Sequence, residues 1–183
     1  MFFKKWFKTK DAFKEIHQFQ AKTDLEREVK SKYNGQQGMY IARKKDSDGE
    51  GILVVANLSD IVKNNHSLRL DIYPTINNKT SFSSVHYQGP IKQLYVHNVM
   101  AQIYRKGHGR VLIRSLREVA KICNEIILTR EKHMQTQLIE QITGKIEEEK
   151  SVLTHEELIE FYRRVGCQII GEPGEESFLL KVD

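Results

Sequence analysis

Residues 99–116 read VMAQIYRKGHGRVLIRSL: an apolar strand, a basic turn carrying Gly107 and Gly109, and an amphipathic helix in immediate succession. That order builds an anion site. Glycine removes the Cβ atoms that block close backbone approach, so consecutive N–H groups can converge on a phosphate. The helix that follows adds its unpaired first-turn amides and the positive end of its dipole. Arg105, Lys106 and Arg110 place full positive charge around the turn. A pyrophosphate-bearing cofactor is the ligand this chemistry suits, although a glycine pair between strand and helix also serves geometry alone. Two nucleotide signatures are excluded. No Gly-x-x-x-x-Gly-Lys-Ser/Thr run is present, and the third glycine of a dinucleotide fingerprint is replaced by Leu112.

Around this segment the chain has the composition of a globular domain. Its 183 residues, 39% hydrophobic and 29% charged, suit a single domain spanning 1–183. No apolar run is long enough to span a membrane. The N-terminal MFFKKWFK mixes charge into its aromatics and lacks the apolar stretch of a signal peptide. Cys123 and Cys167, the only cysteines, are too few for a disulfide framework, which points to a reduced, cytoplasmic setting. The net charge of +5 is unevenly spread: residues 146–183 carry ten acids against four bases, leaving +11 for residues 1–145. A basic half can serve nucleic acid or one phosphorylated cofactor. No RNA-binding aromatic signature, zinc-ligand spacing or dense Lys/Arg tract favours nucleic acid.

Periodicity supplies the elements. Helices are expected over Thr9–Gln20 and from the capping box at Thr23–Glu26 to Tyr33. Met39–Lys45 and Gly51–Asn57 flank Asp46-Ser-Asp-Gly49 as a hairpin. Ser67–Tyr73 and Phe82–Tyr87 read as strands, and Ile91–Ile103 as a longer one entering the glycine turn. Arg110–Ile122 is an amphipathic helix and EIILT, Glu125–Thr129, a buried strand. Met134, Leu138, Ile142 and Ile146 recur every four residues, predicting a helical insertion at 131–153 that packs on the core, covers the site or forms a homodimer contact. A second capping box, Thr154-His-Glu-Glu157, opens a helix through Val165 that Gly166 ends. Gln168–Ile170 and Ser177–Val182 form a terminal hairpin.

Two motifs in this order resemble the GNAT superfamily of N-acetyltransferases. V-M-A-Q-I-Y-R-K-G-H-G-R-V-L-I, Val99–Ile113, is similar without a gap to the family's acetyl-coenzyme A motif. F-Y-R-R-V-G-C, Phe161–Cys167, is similar to the F-Y-x-x-x-G-F near the end of such domains. The resemblance covers roughly residues 91–183. It implies an α/β (α+β) fold with a mixed, mostly antiparallel central sheet flanked by helices, and a splayed strand pair forming the cofactor cleft. The implied activity is acetyl transfer from acetyl-coenzyme A to a primary amine, of a small molecule or a protein, by direct attack and without a metal.

Carried over by position, Val99, Met100 and Ala101 would meet the pantetheine arm. Arg105, Lys106, Gly107, His108, Gly109 and Arg110 would supply the phosphate turn. Tyr162 stands where many members place the general acid that protonates the departing thiolate. The amine must also lose a proton before it attacks. No Asp or Glu lies between Ile91 and Tyr104, and His97 is the only side chain there that titrates near neutrality, so it is the possible base. Period-two alternation puts it on one face with Tyr95 and Val99; Glu125 on the adjacent expected strand is a weaker candidate. Tyr104 stands where the family has Arg or Gln, and the asparagine that commonly follows the next strand has no counterpart. Those departures keep open a second reading, a GNAT-like module that binds coenzyme A without turnover.

Overall fold

The computed structural model describes residue 27 and residues 39–58, 67–74, 81–102, 105–130, 138–147 and 153–182. Their centre is one eight-stranded sheet in the order β1-β2-β3-β4-β5-β6-β8-β7. The strands are β1 (Met39–Lys45), β2 (Gly51–Asn57), β3 (Ser67–Pro74), β4 (Ser81–Gln88), β5 (Gln93–Met100), β6 (Gln141–Lys145), β7 (Gln168–Ile170) and β8 (Ser177–Lys181). Among the described residues the helices α1 (His108–Arg130) and α2 (His155–Arg164) accompany them. Every neighbouring pair is antiparallel except β5 with β6. The mixed, mostly antiparallel sheet expected from the sequence is therefore present. The expected helices at Thr9–Gln20 and Thr23–Tyr33 lie outside the described residues, save that Arg27 is helical.

The first hairpin forms for local reasons. Asp46 Oδ1 accepts the N–H groups of Asp48 (2.9 Å) and Glu50 (2.8 Å), and Gly49 takes φ +81°, a left-handed conformation that a Cβ would strain. In β2 every residue from Ile52 to Ala56 is buried. Ile52, Val54 and Ala56 join the main core, whereas Leu53 and Val55 pack with Ile41 and Tyr73 on the opposite face.

Helix α1 carries the core's other wall. Leu112, Leu116, Val119, Ala120, Cys123 and Ile127 are all buried, a stripe of three- and four-residue steps. That stripe corrects the strand expected at Glu125–Thr129, because the helix runs unbroken to Arg130. Of the apolar trio Ile127 is buried and Ile126 packs half-buried against the core, whereas Leu128 is exposed. Asn124 then fastens the next segment to the helix: its Nδ2 donates to Ile139 O (2.9 Å) and its Oδ1 accepts Ile139 N–H (2.7 Å). Glu125 accordingly lies exposed on a helix rather than on a strand beside β5.

The helical insertion expected at 131–153 is corrected too. Gln141–Lys145 is strand β6, paired parallel with β5 and antiparallel with β8. Ile142, Thr143 and Gly144 are buried in succession, as in a strand covered on both faces, so four-residue spacing at Ile142 and Ile146 was compatible with either structure. Residues 131–137 and 148–152 lie outside the described residues.

The second capping box forms as its residues dictate. Thr154 Oγ1 accepts Glu157 N–H while Glu157 Oε2 accepts Thr154 N–H (2.9 Å), and Gly166 at φ +96° ends the helix region. His155 Nε2 meets Glu176 Oε2 at 2.8 Å and ties α2 to the turn before β8. That contact, with the N–H of Gly174 (2.8 Å) on the same carboxylate, holds Glu176 below its ordinary pKa of 4.5. A depressed folded pKa gives stability that is complete above 4.5 and lost as pH falls below it. Glu176→Gln should therefore flatten the acid limb of a melting-temperature profile and leave its shape at neutral pH unchanged.

Candidate functional site

β5 and β6 pair over only three positions, Gln93 with Gln141, Leu94 with Ile142 and Tyr95 with Thr143. Beyond Tyr95 the ladder stops, yet β5 runs on to Met100 along β4. Its backbone from Val96 onward thus faces β6 without sheet pairing on that side. Gly144 sits at the divergence. A Cβ there would lie 2.8 Å from Val96 O and 2.6 Å from Phe178 Cε1, so only glycine fits between strand and ring.

A cleft of about 810 Å³ opens along this gap. One wall is β5 from Val96 to Met100, continuing through Gln102. The far end is the turn and first helical residues at Arg105 and Gly107–Arg110, and the other side comes from Phe161, Tyr162 and Phe178. Ser47, Lys145, Glu147, Leu153, Glu157 and Leu158 complete its edge. Val99, Met100, Ala101, Arg105, Gly107, His108, Gly109, Arg110, Tyr162 and His97 are therefore brought to one cavity; Tyr104 lies outside the described residues.

Lys106 differs from its neighbours. Its Nζ pairs with Asp48 Oδ2 and lies 3.8 Å from Glu50 Oε2, so its charge is met by the β1–β2 hairpin. The hydrogen bond to Asp48, with the nearby acids, raises its pKa. The turn itself carries two left-handed residues, Arg105 at φ +60° and Gly107 at φ +73°. Val111 N–H donates to Gly107 O (3.1 Å), starting the helix and leaving the amides before it free of intrahelical acceptors. At Gly109 a Cβ would meet Phe161 Cζ at 3.2 Å, so the two sequence motifs touch across the cleft's end.

His108 is buried beneath the turn. Its Nδ1 lies 2.9 Å from Ser81 Oγ, and Ser81 Oγ accepts Gln102 N–H (3.0 Å). The Ser81 oxygen has two lone pairs and one proton, so its hydroxyl pairs with Nδ1 in either neutral tautomer of the ring. Burial lowers the imidazole pKa, favouring the neutral form. Nε2 is buried with no hydrogen-bond partner among the described residues.

Tyr162 is 7% exposed, its ring stacked on Phe178 at 4.2 Å and 10°, with Phe161 edge-on at 5.1 Å. Burial, with Cys167 nearby, pushes its phenol well above the usual range, so the hydroxyl keeps its proton at neutral pH. His97 is exposed, at an irregularity where Val96 pairs with Val85 and Asn98 with Ser84, leaving it as the extra residue of a bulge. The bulge breaks the expected alternation. His97 contacts Tyr95 (ring centroids 5.0 Å) and His86 (6.1 Å), whereas Val99 turns to the core.

Sequence reasoning missed Ser47, Phe178 and Glu157 as parts of this cavity, and Gly144 as the residue where β6 meets Val96 and Phe178. Gly144 alone carried a signal, a glycine interrupting an apolar run, which marks a close backbone approach when the run is a strand. Among the described residues no group of three or more His, Cys, Asp or Glu is placed to hold a metal ion, and no helix is long and apolar enough to cross a membrane.

No protein-family profile and no curated protein sequence matches the chain. Among solved structures it is similar to aminoglycoside 6'-acetyltransferase type Ii, at 17% identity and a TM-score of 0.44 over 68% of this chain and 75% of that one. It is similar to spermidine N-acetyltransferase from Vibrio cholerae at 12% identity and a TM-score of 0.45, over 66% and 68% of the two chains. Nourseothricin acetyltransferase aligns at 15% identity and a TM-score of 0.40, over 79% and 86%.

Proposed function

We propose that the protein is an N-acetyltransferase that passes an acetyl group from acetyl-coenzyme A to a primary amine by direct attack. The observation that carries this reading is the parting of β5 from β6 after Tyr95, at a cleft that ends on the glycine turn. An unpaired strand edge offers backbone groups to an extended, amide-bearing arm, and free turn amides suit a pyrophosphate. The residues present fit such a group. Gly144 lets β6 approach Val96 closely at the head of the cleft, and His108, in the cleft lining, has a buried Nε2 without a partner among the described residues.

Bound acetyl-coenzyme A supplies an activated thioester whose leaving group is a thiolate. Val99, Met100 and Ala101 hold the pantetheine arm through their backbone. Gly107, His108, Gly109 and Arg110 offer first-turn amides, and Arg105 and Arg110 add charge. The Tyr162 hydroxyl, kept protonated by burial, gives its proton from Oη to the departing sulfur. His97, exposed in the cleft wall, takes the proton that the amine must shed. Arg105 and Arg110 supply the cationic charge at the turn that Lys106, turned to Asp48, does not.

Release of free thiol from acetyl-coenzyme A over a panel of small-molecule, polyamine and peptide amines tests the reading. Amine-dependent release above the rate of hydrolysis is expected for at least one class. Coenzyme A binding with no amine-dependent release would favour the module without turnover, and absence of both would remove the proposal.

A further inference from the structure

The β1–β2 hairpin reaches the phosphate turn from a distant part of the sequence. Ser47 N–H donates to Lys106 O at 2.9 Å, and Lys106 Nζ returns to Asp48 and Glu50. The Ser47 hydroxyl stands over Gly107, where any Cβ would collide with its Oγ. Of residues 46–50, Ser47 alone lies in the cleft wall. The hairpin's acids are engaged elsewhere: Asp46 with the amides of Asp48 and Glu50, and Asp48 and Glu50 with Lys106. Ser47 is therefore the hairpin side chain that brings a hydrogen-bond donor to the turn while the acids are occupied. His108, which lines the same cleft, has a buried Nε2 with no partner among the described residues.

We propose that Ser47 is a phosphate ligand of the donor site, its Oγ–H donating to the pyrophosphate held at the 105–110 turn. This rests on the proposed acetyl-coenzyme A function. The role follows from placement. A hydroxyl beside a glycine whose amide belongs to an anion-binding turn adds a donor at the distance of one side chain. Its backbone bond to Lys106 O fixes that donor relative to the turn. A hydrogen bond to a charged group contributes more than one between neutral groups. The hairpin and the turn thereby form one binding unit, with Lys106 as the fastening rather than a phosphate ligand.

Calorimetric titration of wild type and Ser47→Ala with coenzyme A, dephospho-coenzyme A and pantetheine tests it. Ser47→Ala keeps the Cβ and removes only the hydroxyl. Its Kd for coenzyme A and for dephospho-coenzyme A should rise by roughly 10- to 100-fold, with pantetheine binding and the melting temperature of the free protein unchanged. Equal affinities for coenzyme A in the two proteins would overturn the assignment. So would a loss that extends to pantetheine, which marks a structural role, or a loss confined to coenzyme A, which marks the 3'-phosphate instead. Failure of the wild type to bind coenzyme A would overturn the donor-site reading itself.

Discussion

Tyr162→Phe should lower turnover by about 10²- to 10⁴-fold, the range over which a positioned proton donor acts, with little change in affinity for coenzyme A. The separation follows from what the substitution removes. The ring remains, with its 4.2 Å stacking on Phe178 and its edge contact to Phe161, so the cleft wall keeps its shape. Only the hydroxyl is lost. That hydroxyl is held protonated because burial disfavours the phenolate, a stable acid in the absence of a developing thiolate. In steady-state terms kcat falls and the Kd for coenzyme A does not. Equal turnover in wild type and variant would remove Tyr162 from the chemistry and leave it as part of the wall.

Gly144→Ala should destabilise the protein by about 1–3 kcal/mol, the usual cost of overpacking, or roughly 2–12 °C in melting temperature for a chain of this size. The new methyl would meet Phe178 Cε1 at 2.6 Å, Phe178 Cζ at 2.8 Å and Val96 O at 2.8 Å. A ring edge can tilt, but a backbone carbonyl at the divergence of β5 and β6 cannot move without disturbing both strands. Phe178→Leu in the same background should recover part of the loss, the part owed to the ring. An unchanged melting temperature in the single variant would contradict the position given to β6. Coenzyme A affinity should fall with stability, because the displaced carbonyl lies on the strand edge that lines the cleft.

Much of the architecture was legible where local chemistry decides it. Asp46 and Gly49 specify the first hairpin through side-chain and backbone geometry that needs no distant partner. Thr154 and Glu157 likewise specify the start of α2. The misreadings fall where tertiary contacts decide. Ile126-Ile127-Leu128 is an apolar run with two β-branched residues, suited to a strand, but Cys123 and Ile127 continue the buried stripe of α1 and Asn124 clips the helix to Ile139. Ile142 and Ile146 keep a helical interval, but Ile142 is a strand residue seated between Leu94 and Leu180.

The candidate site divides in the same way. Val99–Ala101, Arg105, Gly107–Arg110 and Tyr162 belong to contiguous motifs, and the structure places them around one cavity. Ser47 carried no signal, because its relation to the turn exists only once the hairpin folds back on Lys106. The face of Val99 was misread for a related reason: a bulge at His97 shifts the alternation by one residue, and a period-two pattern has no way to register it.

Amide hydrogen exchange with and without saturating coenzyme A tests the central claim, that the gap between β5 and β6 is the donor site. Protection should rise at the backbone of Val96–Ala101 and at the turn amides of Gly107–Arg110, with β1–β3 outside the 46–50 hairpin unchanged. Saturating coenzyme A that leaves both segments unprotected, or that protects a different surface, would contradict it.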